Sequence, residues 1–337
     1  MEKLQVAVAG LGRIGKIHLK NLARNFPEIR VVAVMDVDSA SKAVADEFNV
    51  PWFVSTFDEL LAIPDLDAVV ICSPTDTHAD YVTRAAWAGK QIFCEKPLDL
   101  SLERVHEVLT VVKETGVGLM LGFNRRFDPE FRKIKTLVEN GSVGEPQIIK
   151  ITSRDPGPPP ISYIRSSGGM FLDMTIHDFD MARYISGKNV KEVFARATVT
   201  VDPEIGKAGD VDTAVIILTF EDDSMAIIDN CRRAAYGYDQ RLEVFGDRGM
   251  AMADNKFPNN HKLYTEAGVS GDLPLYFFLE RYDESYNQEI RAFVDALVSG
   301  GTMPVGGEDG LVSIAIGLAA KRSLEENRPV QVSEILA

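Results

Sequence analysis

Between residues 4 and 25 the chain passes from a short apolar stretch through Gly10-Leu11-Gly12-Arg13-Ile14-Gly15 into a segment with helical periodicity. An apolar strand, a tight glycine turn and a helix opening directly from it constrain the fold more than any other feature. Gly10 permits the turn, Gly12 lets the backbone approach a bound group, and Gly15 allows close helix–strand packing. The first N–H groups of such a helix are free and carry partial positive charge, which suits a phosphate. In this context a ligand-free glycine turn is the weaker reading, and Arg13 and Ile14 join the three glycines as candidate dinucleotide contacts.

The same alternation continues. Residues 30–35, 66–72, 91–94 and 117–121 read as buried strands, and residues 16–25, 39–48, 78–88 and 102–114 as helices. Strands and helices in turn imply an α/β fold, a doubly wound parallel sheet with helices on both faces, here over residues 1–122. Beyond that point the rhythm changes. Residues 147–153, 190–201, 213–220, 226–231 and 241–245 are strand-like with few helices between them. They predict a second, α+β domain over residues 123–337 with a large open, mostly antiparallel sheet. Residues 220–225 form an acidic hairpin turn between two of its strands. Four prolines in residues 155–160 exclude helix and central strand there and predict a stiff loop. The last helix, residues 309–326, is apolar around its circumference and is expected to be buried, packing back on the first domain.

Three sets of side chains carry candidate chemistry. Asp36 ends the second strand about twenty residues after the last glycine, where a carboxylate accepts from ribose hydroxyls and repels a 2′-phosphate. No basic residue follows before Lys42, so NAD is expected rather than NADP; Asp38 better fits a helix cap. Glu95-Lys96-Pro97 ends a parallel strand on the edge where ligands bind. A lysine there stabilises a developing alkoxide, although a Lys-Pro pair alone is usually a surface turn. Asp173 and His177 share a face if residues 171–185 form one helix. The aspartate then orients the imidazole as a general base; the plainer alternative is a capping aspartate and a structural histidine.

The formal net charge of −14 disfavours nucleic acid and anionic membranes as partners. No apolar run approaches the length of a membrane span, and strand-like sequence begins too early for a signal peptide, so a cytoplasmic protein is expected. Three scattered cysteines read as free thiols. His18, His78, His106 and His261 show no ligand clustering, His18 and His106 read as ordinary helix residues, and no metal is expected.

Several motifs, in order, resemble the glucose–fructose oxidoreductase/inositol dehydrogenase/rhizopine catabolism (Gfo/Idh/MocA) family. They are residues 10–15, Cys72-Ser73-Pro74-Thr75-Asp76-Thr77-His78, Glu95-Lys96-Pro97, residues 122–128, Gly168-Gly169 through Asp173 to His177, and residues 307–310. The resemblance spans nearly the whole chain. It implies a Rossmann domain joined to an open-faced α+β domain, with catalysis in the cleft between them by Lys96, Asp173 and His177. It also implies that Ser73, Thr75, His78 and Glu95 line the nicotinamide half of the cofactor and that Arg126 lies near substrate. Residues 153–156, 173–178 and 236–241 look most like the inositol-oxidising members, with Asp155 and Tyr236 as hydroxyl binders. The implied reaction is NAD-dependent oxidation of myo-inositol to 2-keto-myo-inositol. Another inositol isomer, hexose or polyol is the nearer alternative, and a sugar-sensing regulator without chemistry the remoter one. A homo-oligomer, a tetramer, is the implied assembly.

Overall fold

Residues 4–9 form β1 (Leu4–Ala9), a central strand of a six-stranded parallel sheet. Its partners are β2 (Ile29–Met35), β3 (Trp52–Val54), β4 (Ala68–Ile71), β5 (Gln91–Glu95) and β6 (Leu119–Gly122), in the order β3-β2-β1-β4-β5-β6. Between them run α1 (Arg13–Asn25), α2 (Lys42–Glu47), α3 (Phe57–Leu61), α4 (Thr75–Trp87) and α5 (Leu102–Thr115). The strand order reverses between β1 and β4, so the glycine turn after β1 opens at the switch point where such sheets bind ligands. β3 and α3 were not foreseen from the sequence. Both are short, and α3 is fixed by a capping box in which Thr56 accepts from Glu59 N–H and Glu59 reaches back.

The computed structural model describes residues 3–337. After β6 the chain forms α6 (Pro129–Glu139), β7 (Pro146–Arg154), α7 (Ile161–Ser166), α8 (Ile176–Ser186), β8 (Val190–Thr198) and α9 (Pro203–Lys207). β9 (Thr213–Phe220), β10 (Met225–Cys231), β11 (Asp239–Gly246) and β12 (Gly249–Ala253) follow, then a small hairpin, β13 (Leu263–Thr265) and β14 (Gly268–Ser270). The chain ends with α10 (Phe278–Arg281), α11 (Asp283–Ser299), α12 (Gly307–Glu326), β15 (Val330–Gln331) and α13 (Ser333–Leu336). The large sheet has the order β12-β11-β7-β10-β9-β8-β15. Every pair in it is antiparallel except β7 with β10, so the sheet is mixed. The acidic turn joins β9 to β10 as a hairpin, with Asp223 in the left-handed region.

By its contacts the chain divides into two units, Met1–Phe127 with Glu284–Val312, and Asp128–Asp283 with Ser313–Ala337. The first unit therefore takes back α11 and the first turn of α12, segments that a boundary at residue 122 assigns to the second domain. One face of the large sheet buries Ile149, Ile151, Ile216, Leu218 and Ile228, the alternation expected of strands with one covered face. Among the described residues no helix is long and apolar enough to cross a membrane.

Candidate active site

Three glycines shape the turn after β1. Gly10 has φ +92°, and a Cβ there would meet the Ser73 nitrogen at 2.7 Å. A Cβ on Gly15 would lie 1.9 Å from the Gly10 carbonyl oxygen, whereas one on Gly12 would meet nothing within 4 Å. The first and third glycines are thus needed by the fold, and the second faces open space. Gly12 caps α1 without a side-chain bond, and no acid sits in the first helical turn. Arg13 and Ile14 begin that helix. Asp36, at the end of β2, accepts from Leu11 N–H at 2.6 Å and from Asp38 N–H at 2.8 Å. Its carboxylate braces the glycine turn from below, a role the sequence reading did not include. Asp38 caps the next turn through Ala40 N–H. Free helix N–H groups, open space at Gly12 and a carboxylate beside the loop together fit a dinucleotide.

The turn after β4 carries Ser73 and Thr75, both half-buried. Ser73 Oγ and Thr77 Oγ1 are 2.6 Å apart, and the Thr77 hydroxyl donates to Pro74 O at 2.7 Å. His78 is buried, its two ring nitrogens facing the carbonyls of Ser73 and Pro97 at 2.8 Å each. Burial drives this imidazole below its usual range, against the two carbonyls that favour the charged ring. His78 thereby ties the turn after β4 to the turn after β5, where Lys96 is half-buried and the Lys96–Pro97 bond is cis. Glu95 points to His18, Oε1 to Nε2 at 2.7 Å. His18 is fully buried and is not the ordinary helix residue the sequence implies. It clusters with Glu95 and Glu289, which come together only when α1, β5 and α11 pack. Arg126 pairs with Asp309 at 2.8 Å, in the first turn of α12.

In the second unit the expected single helix over residues 171–185 is broken. Met170–Met174 forms a π-helical turn, and α8 starts only after Thr175. Asp210 accepts from Met170 N–H at 3.0 Å, while Thr175 N–H donates to the Met170 carbonyl at 2.9 Å. These bonds fix the wider turn. Thr175 Oγ1 donates to Asn230 at 2.6 Å, and Asn230 Nδ2 donates to Asp178 at 2.9 Å, seating α8 on β10. Asp173 and His177 flank this junction, both half-buried.

Asp173 is held by two residues that the sequence reading missed. Tyr163 OH donates to its Oδ1 at 2.9 Å, and Arg232 reaches its Oδ2 at 3.4 Å. Arg232, only 3% exposed, also reaches Asp155 at 3.4 Å. Burial opposes the charge, yet Asp173, Asp155 and Asp210 together hold the guanidinium above its usual range. The structure therefore gathers Asp155 and Asp173 around one buried cation. Tyr236 is engaged differently: its hydroxyl donates to Asp239 at 2.5 Å and accepts from Arg154 at 3.1 Å. Arg232 had a faint signal, the first of two arginines directly after a strand; Tyr163 had none.

Two family models match the chain, the NAD-binding Rossmann fold of the oxidoreductase family over residues 4–123 and the GFO/IDH/MocA C-terminal domain over residues 131–252. The protein belongs to the Gfo/Idh/MocA oxidoreductases. A myo-inositol 2-dehydrogenase of Thermotoga maritima is 49% identical over 334 residues, covering 99% of this chain and 100% of the relative. An inositol 2-dehydrogenase of Rhizobium meliloti is 46% identical, covering 98% and 99%. The crystal structure of a scyllo-inositol dehydrogenase from Lactobacillus casei, with NAD(H) and scyllo-inositol bound, superposes with a TM-score of 0.90 at 32% identity. It covers 98% of this chain and 100% of that one. The parallel sheet is an NAD-binding domain, and the protein is an oxidoreductase that uses NAD.

Proposed function

We propose that the protein oxidises a ring secondary alcohol, myo-inositol foremost, to the ketone, 2-keto-myo-inositol, as a step in inositol catabolism. The observation that carries the substrate is the similarity, over essentially whole chains, to two named inositol dehydrogenases. Bound NAD⁺ supplies the hydride acceptor. Residues 1–122 hold it, with the glycine turn (Gly10, Gly12, Arg13, Ile14, Gly15) at its phosphates, Asp36 at the adenine ribose, and Ser73, Thr75, His78, Glu95 and Lys96 toward the nicotinamide. Residues 123–337 recognise the polyol, through Arg126, Asp155, Asp173, His177 and Tyr236.

His177 takes the hydroxyl proton, and Asp173 favours its protonated form. Lys96 hydrogen-bonds the same oxygen and stabilises its developing negative charge. Arg232 and Tyr163 hold the Asp173 carboxylate in place. General acid–base catalysis contributes about 10²–10⁴-fold, so His177→Ala should lower myo-inositol-dependent NADH formation by that factor. Near-normal turnover would remove His177 from its role.

A homotetramer in the cytoplasm is the assembly we favour. Met225, Ile148, Phe245 and Met250 are paired in register across four adjacent strands, β10, β7, β11 and β12. All four are exposed, a continuous apolar stripe of the kind that protein contacts cover. Light scattering on the purified protein should give the mass of an oligomer; a monomer would refute it.

A further inference from the structure

Within the first unit α1, β5 and α11 bring together His18, Glu95 and Glu289, with one titratable atom of each lying within 4.8 Å of the others. His18 Nε2 is bonded to Glu95 Oε1. His18 also lies edge-on to Phe93 and Tyr286, with ring centroids 5.1 and 5.8 Å away. Glu289 is 0% exposed, and neither of its carboxyl oxygens has a hydrogen-bond partner. It shares the buried face of α11 with Tyr286, Ile290 and Phe293, where an apolar residue is the ordinary choice. Tyr286, Cys72 and Cys94 are the further titratable groups nearby. Among the described residues no lysine or arginine pairs with any of the three.

An ionised carboxylate in a buried site without donors is strongly disfavoured, and the neighbouring charge of Glu95 disfavours it further. A second carboxyl close to a charged one is pushed toward its neutral form. Glu95, bonded to His18 and 12% exposed at its side chain, is the better placed to carry the charge. We propose that Glu289 is a resident buried acid that keeps its proton at neutral pH, and that the His18 bond fixes Glu95 as a positioning residue for Lys96. Burial and the Glu95 charge both push the Glu289 carboxyl well up. The part concerning Lys96 rests on the role proposed above for that lysine.

The test reads stability against pH. A carboxyl whose native pKa is raised above its unfolded value loses stability as pH climbs from the unfolded value toward the native one, because the unfolded chain releases its proton first. Glu289→Gln and Glu289→Leu carry no such proton. Each variant should gain on the wild type as pH rises from about 5 to about 8, by about tenfold in the unfolding constant per pH unit where one proton separates the states. The slope is the readout, since packing changes shift only the offset, and the second variant serves if the first does not fold. Variants that lose ground as pH rises, or keep a constant deficit, would overturn the proposal. So would a divalent cation at one per chain in the purified protein that disappears in Glu289→Gln. Glu95→Gln should displace the pH profile of turnover, and an unmoved profile would overturn the positioning role. If Lys96→Ala kept its turnover, the reading of Lys96 would fail while the stability result stood on its own.

Discussion

Each unit of the molecule gathers a group of acids, and the two groups are held in opposite ways. In the second unit Asp155 and Asp173 converge on Arg232, a buried cation. In the first, Glu95 and Glu289 lie close to one imidazole, which bonds Glu95 alone. Where a guanidinium is present it gives both acids a charged partner, which suits the role proposed for Asp173. Where none is present, a proton takes its place on Glu289. A third acid, Asp36, is held by neither, since two backbone N–H groups satisfy it. The comparison teaches that the partner, more than burial, sets what a buried carboxyl does in a dehydrogenase of this kind.

The strongest way to break it is Arg232→Leu. Removing one partner of a buried ion pair leaves uncompensated charge and costs about 3–5 kcal/mol. Urea unfolding at neutral pH should show that loss. An undiminished stability would mean that the cation is not what holds these acids. Next in size is Asp36→Ala, which removes a charged acceptor worth about 1.5–3 kcal/mol. The KM for NAD⁺ should then rise by about 10–100-fold and the preference over NADP⁺ should narrow; an unchanged preference would leave Asp36 as a brace for Leu11 alone.

How much of this was legible in the sequence follows from how locally each feature is determined. The glycine turn, Asp36, the Asp38 cap and the β9–β10 hairpin depend on residues close in the chain, and the structure forms them where the sequence places them. The helix through Asp173 was misread because a π-helical turn and an α-helix draw on the same residues. The choice between them was made by Asp210, 40 positions from Met170. Arg232 and His18 were equally hidden, their partners lying 59 and 77 positions away. Glu289 did leave a trace, a charged residue inside the apolar stripe of α11. Periodicity alone cannot say which acid will meet it.

The smallest effect should come from Tyr163→Phe, which removes one hydrogen bond to Asp173, worth about 0.5–1.5 kcal/mol. Turnover should fall by no more than about tenfold with substrate KM nearly unchanged. A larger loss would make Tyr163, rather than Arg232, the main support of that carboxylate.

The most direct test of the whole account is the initial rate of NADH formation by the purified protein. Myo-inositol, scyllo-inositol, chiro-inositol and D-glucose would each be offered with NAD⁺ and, separately, with NADP⁺. The account predicts the highest kcat/KM for myo-inositol with NAD⁺. Glucose alone as substrate would contradict the inositol assignment, and no reduction of either cofactor by any of the four would contradict the proposed chemistry itself.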